Sequence, residues 1–197
     1  FKNTSRYAKT NQEMLLTSPF NYSTIASVDR RMHARWQENE ILTNQSNFTT
    51  DVQTGMLLHK ISTGIELTKE SQLTKNYTAQ NAQITSLYNP TNISWDALTF
   101  SGQKSDGETT TVGAYLFDSI NIGEKFILTG GGRFDKYNTT NDIVSSALVP
   151  STLEDKGNLN SNKAGLVYKP LDNGSVYISR ATTQLPPGGA NFTFSET

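Results

Sequence analysis

TTTVGAYLFDSINIGEKFILTGGGRFDKY, residues 109–137, is the stretch whose reading decides the fold. Two runs rich in apolar, β-branched and aromatic residues, Val112–Ile122 and Lys125–Tyr137, flank a break at Gly123-Glu124. Such a pattern predicts two antiparallel strands joined by a tight turn. In the second run Phe126, Leu128, Gly130, Gly132 and Phe134 share one face. Lys125, Ile127, Thr129, Gly131, Arg133, Asp135 and Tyr137 share the other. One face suits an apolar solvent and the other is mostly polar, because side chains alternate across a strand. In the first run Val112, Ala114 and Leu116 compete with Tyr115 and Phe117 for the apolar side, and the pattern leaves both orientations open.

The whole chain has 197 residues, 17 basic against 18 acidic, 35% hydrophobic and no cysteine. Balanced charge lacks the concentrated basic surface of a nucleic-acid binder, so none is expected as a partner. Without cysteine there are no disulfides, thiolate metal sites or thiol nucleophiles. No run of 18 apolar residues exists to make a membrane-spanning helix, but a barrel strand needs only about 9–11 alternating residues. The chain opens at Phe1-Lys2-Asn3 and stops at Ser195-Glu196-Thr197. These ends read as those of a piece of a longer polypeptide.

Taken in order, 3–16 reads as a weak strand and 17–37 as a polar loop. Residues 38–48 read as a strand and Thr49–Thr54 as a turn. Gly55–Glu70 is a strong strand with Leu57, Ile61, Ile65 and Leu67 on one face, interrupted by His59 and Thr63. A Ser-, Thr-, Asn- and Gln-rich connection is expected over 71–108, and another polar connection over 138–159. A second hairpin, 160–169 with 175–182, turns at Pro170-Leu171-Asp172-Asn173-Gly174, where Asn-Gly favours a tight turn. Short connections therefore alternate with long ones, unlike the usual run of short links. The expected fold is all-β: an antiparallel up-and-down meander of about seven strands. Outer-membrane barrels have short turns at one rim and long loops at the other. A soluble all-β binding or adhesion module with long loops is the alternative fold context.

Several stretches resemble TonB-dependent outer-membrane receptors, in particular the branch that takes up ferric catecholate siderophores. They are Thr54-Gly55 to Gly64-Ile65-Glu66, Val112-Gly113-Ala114-Tyr115-Leu116-Phe117-Asp118 and Gly131-Gly132-Arg133-Phe134-Asp135-Lys136-Tyr137. With them go Gly165-Leu166-Val167-Tyr168-Lys169-Pro170, Gly174-Ser175-Val176-Tyr177 and Leu185-Pro186-Pro187-Gly188-Gly189. The ordered set carries the likeness, and it covers roughly 1–195. The resemblance implies a 22-stranded transmembrane β-barrel, about the strand number of plugged outer-membrane transporters. Residues 1–197 would form part of that barrel, with the plug domain and C-terminal barrel strands absent. It further implies an outer-membrane location in a Gram-negative bacterium and contact with outer-membrane lipid and lipopolysaccharide. A ferric siderophore would be the transported ligand, with no cofactor, and the TonB complex would act through the missing plug. A receptor for cobalamin or haem is the alternative within the same fold.

The candidate ligand contacts lie in the segments read as loops. Arg30, Arg31 and Arg35, with His33 and Trp36, offer cations and an aromatic to an anionic ferric catecholate. Tyr88, Trp95 and Phe100, with Tyr77, are aromatics in the long polar connection. Arg133 with Asp135, and Lys60 with Glu66, are read as structural ion pairs on a lumen-facing wall. No metal site is expected, because two histidines and no carboxylate cluster have ligand spacing. There is no Gly-x-Ser-x-Gly elbow, and no Gly-Lys-Ser/Thr follows Gly130-Gly131-Gly132, so no catalytic residue is assigned and the chain is not read as an enzyme.

Overall fold

The computed structural model describes residues 1–24, 26–92, 95–188 and 192. Gly189 of the Pro-Pro-Gly-Gly stretch and the end at Ser195-Glu196-Thr197 lie outside them. Eight strands form: β1 (Lys2–Thr24), β2 (Ser27–Thr54), β3 (Leu57–Tyr77), β4 (Gln83–Ser86), β5 (Phe100–Ile122), β6 (Phe126–Val144), β7 (Pro150–Leu171) and β8 (Gly174–Thr182). Seven follow one another in a single antiparallel sheet, and the four-residue β4 pairs separately with β2. The expected meander of seven strands is therefore present, with one short addition.

The expected loops are largely strand. Residues 17–24 continue β1 and 27–37 belong to β2, and the polar segment 138–159 is strand except at 145–149. Of the 71–108 connection only 78–99 lies outside β3 and β5, and it contains β4. Polar side chains lie on both faces of these extensions, so no apolar alternation marks them. Each extension is held by pairing to at least one neighbouring strand, and threonine favours the extended chain. The alternation of long and short connections thus reduces to one long connection. The turn expected at Thr49–Thr54 is also displaced. β2 runs to Thr54, and the chain reverses at 55–56, where Gly55 takes the left-handed φ of 63°. Gly123 serves the next turn likewise, at φ 59°.

Register settles which side chains share a face. Ile65 pairs with Ala114, Ala114 with Phe134, and Phe134 with Asn160. Val112, Ala114 and Leu116 therefore join Ile61, Ile65, Phe126, Leu128 and Phe134, which closes the orientation the sequence left open. Tyr115 and Phe117 take the opposite face. The apolar face carries a band from Leu57 to Leu67 on β3, bounded above by the exposed ion pair Lys69–Glu108 (2.9 Å). Phe126 and Tyr168 stack at its lower edge with ring centroids 4.9 Å apart. Ten residues of strand at about 3.3 Å each, tilted about 40°, give a band roughly 25 Å tall. His59 and Thr63, the two polar interruptions, are both satisfied locally. The His59 ring bonds Asp118 (Nδ1–Oδ2 2.6 Å), and the Thr63 hydroxyl donates to the Tyr115 carbonyl (2.7 Å).

No hydrophobic core lies between layers. Among the described residues Phe192 is the only buried large hydrophobic, whereas Leu116, Ile65 and Phe134 are about half exposed. Burial is instead polar, at Thr109, Thr111, Asp135, Thr139 and Asn141, all on the polar face. After β8 the chain turns across that face. Gln184 accepts from the Asn160 amide (2.8 Å), and the Pro187 carbonyl accepts from the hydroxyls of Thr109 (2.7 Å) and Thr139 (3.2 Å). Phe192 fills the notch at Gly107, where a β-carbon would meet its ring. Asn141 donates to the Phe192 carbonyl (3.1 Å).

Candidate functional site

The polar face is built around Arg133. Its Nε donates to both carboxylate oxygens of Asp135 (2.9 and 2.8 Å), and its Nη2 donates to Glu66 (2.9 Å). Two strands, β3 and β6, supply these groups, and β5 between them contributes Gly113. A β-carbon there would collide with the Asp135 carboxylate and the guanidinium. Glycine thus lets one arginine reach across a strand. The expected Arg133–Asp135 pair is present, with Asp135 only 6% exposed in its side chain. The Lys60–Glu66 pair is corrected: Glu66 binds Arg133, and Lys60 lies six residues away, about 20 Å along the strand. Lys60 instead borders a groove with Ser62, Ser119, Thr129 and Lys163.

Above this wall the face stays polar. Gln37 and Gln72 both donate to the Asn39 side chain (3.0 and 2.9 Å), while at the lower edge of the wall Asn47 donates to the Tyr115 hydroxyl (2.9 Å). Glu70 lies beside Gly188 of the crossing segment, and its burial there pushes its carboxyl above the usual range.

The basic run is not a loop, and the pleat of β2 divides it. Arg31, His33 and Arg35 point to the polar face. Arg31 lies over the Phe20 ring, and His33 Nε2 bonds the Ser18 hydroxyl (2.8 Å). Arg30 and Trp36 point to the other face. Arg30 donates to the Thr91 carbonyl (2.7 Å), and Lys75 sits over Trp36 (5.0 Å to the ring centroid). Phe100 opens β5 and stacks on Tyr77 at 4.6 Å, also on that face. The Tyr77 hydroxyl donates to Glu13, which raises its pKa. Trp95 donates to the Thr17 hydroxyl (3.0 Å), while Tyr88 is 80% exposed at the tip of its connection. Of the seven candidate ligand contacts, only Arg31 and Arg35 share a face with Arg133. Ser18 and the inward course of the crossing segment escaped the sequence reading. Residue parity from the Arg133 face would have found Ser18, but no local pattern marks the inward turn after Thr182.

An apolar band on one face and a hydrogen-bonded polar wall on the other define a sector of a transmembrane β-barrel, with the turns at 55–56, 123–125 and 172–173 on one rim. The chain belongs to the TonB-dependent receptor β-barrel family, whose model, described as TonB dependent receptor-like, beta-barrel, matches residues 1–196. It is 32% identical to the catecholate siderophore receptor Fiu of Escherichia coli strain K12, over 99% of this chain and 30% of that protein. The crystal structure of the ferric-catecholate import receptor Fiu in its closed form superposes with a TM-score of 0.89, covering 99% of this chain and 32% of that one. The siderophore receptor PiuA from Acinetobacter baumannii matches with a TM-score of 0.82 at 25% identity, covering 91% of this chain and 29% of that one. The chain spans about a third of the length of these relatives.

Proposed function

We propose that this chain is one sector of the barrel wall of an outer-membrane receptor that imports ferric siderophores of the catecholate type. The likeness to Fiu along 99% of the chain carries the reading. The plug, the remaining strands and the contact with the TonB complex belong to other parts of the receptor. In this reading the apolar band faces the lipid of a Gram-negative outer membrane and the polar face lines the lumen. The turns at 55–56, 123–125 and 172–173 lie at the periplasmic rim and the extended strands rise outside the cell. Arg31 and Arg35 then lie on the lumen side, roughly 20–30 Å above the band, where cations attract an anionic ferric catecholate. Arg30 and Trp36 are excluded from that role by the face they occupy.

Binding of a ferric catecholate complex to the full-length receptor tests this. Arg31→Ala with Arg35→Ala should weaken it by roughly tenfold, the scale of one lost charge-assisted contact. Arg30→Ala should leave it unchanged. Unaltered affinity in the double variant would remove these arginines from the ligand path, and failure of the wild-type receptor to bind ferric catecholates would overturn the substrate class.

A further inference from the structure

The geometry points to an esterase triad of Thr54, His59 and Asp118 on the apolar side of the wall, acting on the acyl esters of a glycerophospholipid. Asp118 on β5 is the diagonal neighbour of His59 on β3, and Thr54 ends β2 on the same face. The Asp118 carboxylate bonds one nitrogen of the His59 ring (Oδ2–Nδ1 2.6 Å), and the Thr54 hydroxyl bonds the other (Oγ1–Nε2 3.0 Å). A carboxylate only accepts, so Nδ1 carries the proton and the neutral ring offers Nε2 as acceptor to the hydroxyl. Hydroxyl, imidazole and carboxylate thus stand in the order that turns an alcohol into a nucleophile. The other Asp118 oxygen is buried and has no hydrogen-bond partner among the described residues. The carboxylate is therefore placed to orient the ring and to stabilise the imidazolium that forms in the reaction. The two partners lie 5 and 59 residues from His59, so no local motif marks them.

The adjoining turn completes the site. The ladder closes where Thr54 pairs with Leu57, and no turn hydrogen bond among the described residues uses the N–H of Gly55 or Met56. Successive free N–H groups at a left-handed turn residue form a concavity for a developing oxyanion, the first coming from the residue after the nucleophile. Nothing lies within 4 Å of where a β-carbon on Gly55 would stand, so an acyl carbonyl has room to enter. The ladder row of Thr54 continues through Leu57, Ile122, Phe126 and Tyr168. Aromatic girdles mark the membrane interface, the level at which phospholipid esters lie. The substrate class rests on the reading of the apolar band as lipid-facing. Thr54 Oγ attacks the ester carbonyl carbon as its proton passes to His59 Nε2. The bond from that carbon to the glycerol oxygen breaks, and the released alcohol takes the proton. Water then gives a proton to the same ring and cleaves the acyl-threonine to a fatty acid, and the proton returns to Thr54 Oγ.

The test incubates the full-length receptor in detergent with a fluorophosphonate probe, with p-nitrophenyl butyrate and with phosphatidylethanolamine micelles. The probe should attach to Thr54, located by peptide mass spectrometry, and both esters should be hydrolysed. Thr54→Val keeps the side-chain shape without the hydroxyl. That variant and His59→Gln should each abolish labelling and slow hydrolysis at least about a hundredfold, whereas Thr54→Ser should retain both. Asp118 is a positioning residue, so Asp118→Asn should lower kcat by a similar factor with KM unchanged. Heat-resistant migration in gels shows that each variant barrel is intact. An unlabelled wild type, or labelling and hydrolysis unaltered in Thr54→Val, would overturn the triad. Hydrolysis of p-nitrophenyl butyrate without that of phosphatidylethanolamine would overturn the lipid substrate and leave the triad standing. If the receptor does not fractionate with the outer membrane, the lipid-facing reading itself fails, a result separate from the labelling.

Discussion

Asp135 is a carboxylate with a side chain only 6% exposed, held by an arginine that also serves Glu66. Removing one partner of such a pair is far more costly than never building it, because the other charge stays desolvated. Arg133→Ala in the full-length receptor should lose about 3–5 kcal/mol of unfolding free energy. Adding Asp135→Asn should restore part of it, and urea unfolding in lipid bilayers reads both. Gly113→Ala should destabilise too, since its β-carbon would overlap the Asp135 carboxylate. Glu70 gives a pH-dependent case. Burial raises its carboxyl pKa in the folded wall, so the unfolded chain ionises first and the folded state loses stability as pH rises from the ordinary carboxylate value to the raised one. Glu70→Gln should therefore raise the thermal midpoint near neutral pH and have no effect below about pH 4, where the carboxyl is protonated in both states. An equal shift at both pH values would show that packing, not charge, is responsible.

At the scale of the strand, parity decides the outcome of a substitution. Ile65→Arg puts a cation in the apolar band and should cost about 2–4 kcal/mol of folding into bilayers. Ser62→Arg, three residues away on the polar face, should be nearly neutral. Equal costs would mean that the faces are assigned the wrong way round. The strands were legible in sequence where one face is apolar: Phe126, Leu128 and Phe134 marked β6, and Leu57, Ile61 and Ile65 marked β3. They were illegible at Thr139 to Val144 and at Leu73 to Tyr77, where polar side chains stand on both faces, buried Thr139 and Asn141 included, and no apolar contrast remains. The same blindness grouped Arg30 with Arg31 as one cationic loop. Adjacent residues of a pleated strand point in opposite directions, so knowing that the segment is a strand already splits the pair.

For the whole molecule, a seven-strand meander with an apolar exterior leaves two long edges and no buried apolar layer. Phe192 alone cannot hold it closed, and strands in hydrocarbon persist only when every backbone group is paired. Residues 1–197 expressed alone in water should aggregate or stay partly unfolded. A monodisperse species with cooperative melting would contradict that. The two-faced wall identifies the architecture, and the proposed role of Arg31 and Arg35 concerns side chains at the top of β2 that the sequence placed in a loop.

The length of β2, 28 residues from Ser27 to Thr54, has a bearing on how a ligand is received. Roughly 90 Å of strand, about 70 Å in height after tilt, is far more than a bilayer needs. Arg31 and Arg35 therefore stand on a ladder paired to β1, with Arg35 also opposite Asn76 of β3. A cation on a free loop must surrender backbone entropy, of order 1–2 kcal/mol per residue, each time it closes on a guest. Here that ordering is completed when the barrel folds, so a ligand bound as proposed would meet a stiff rampart already in position.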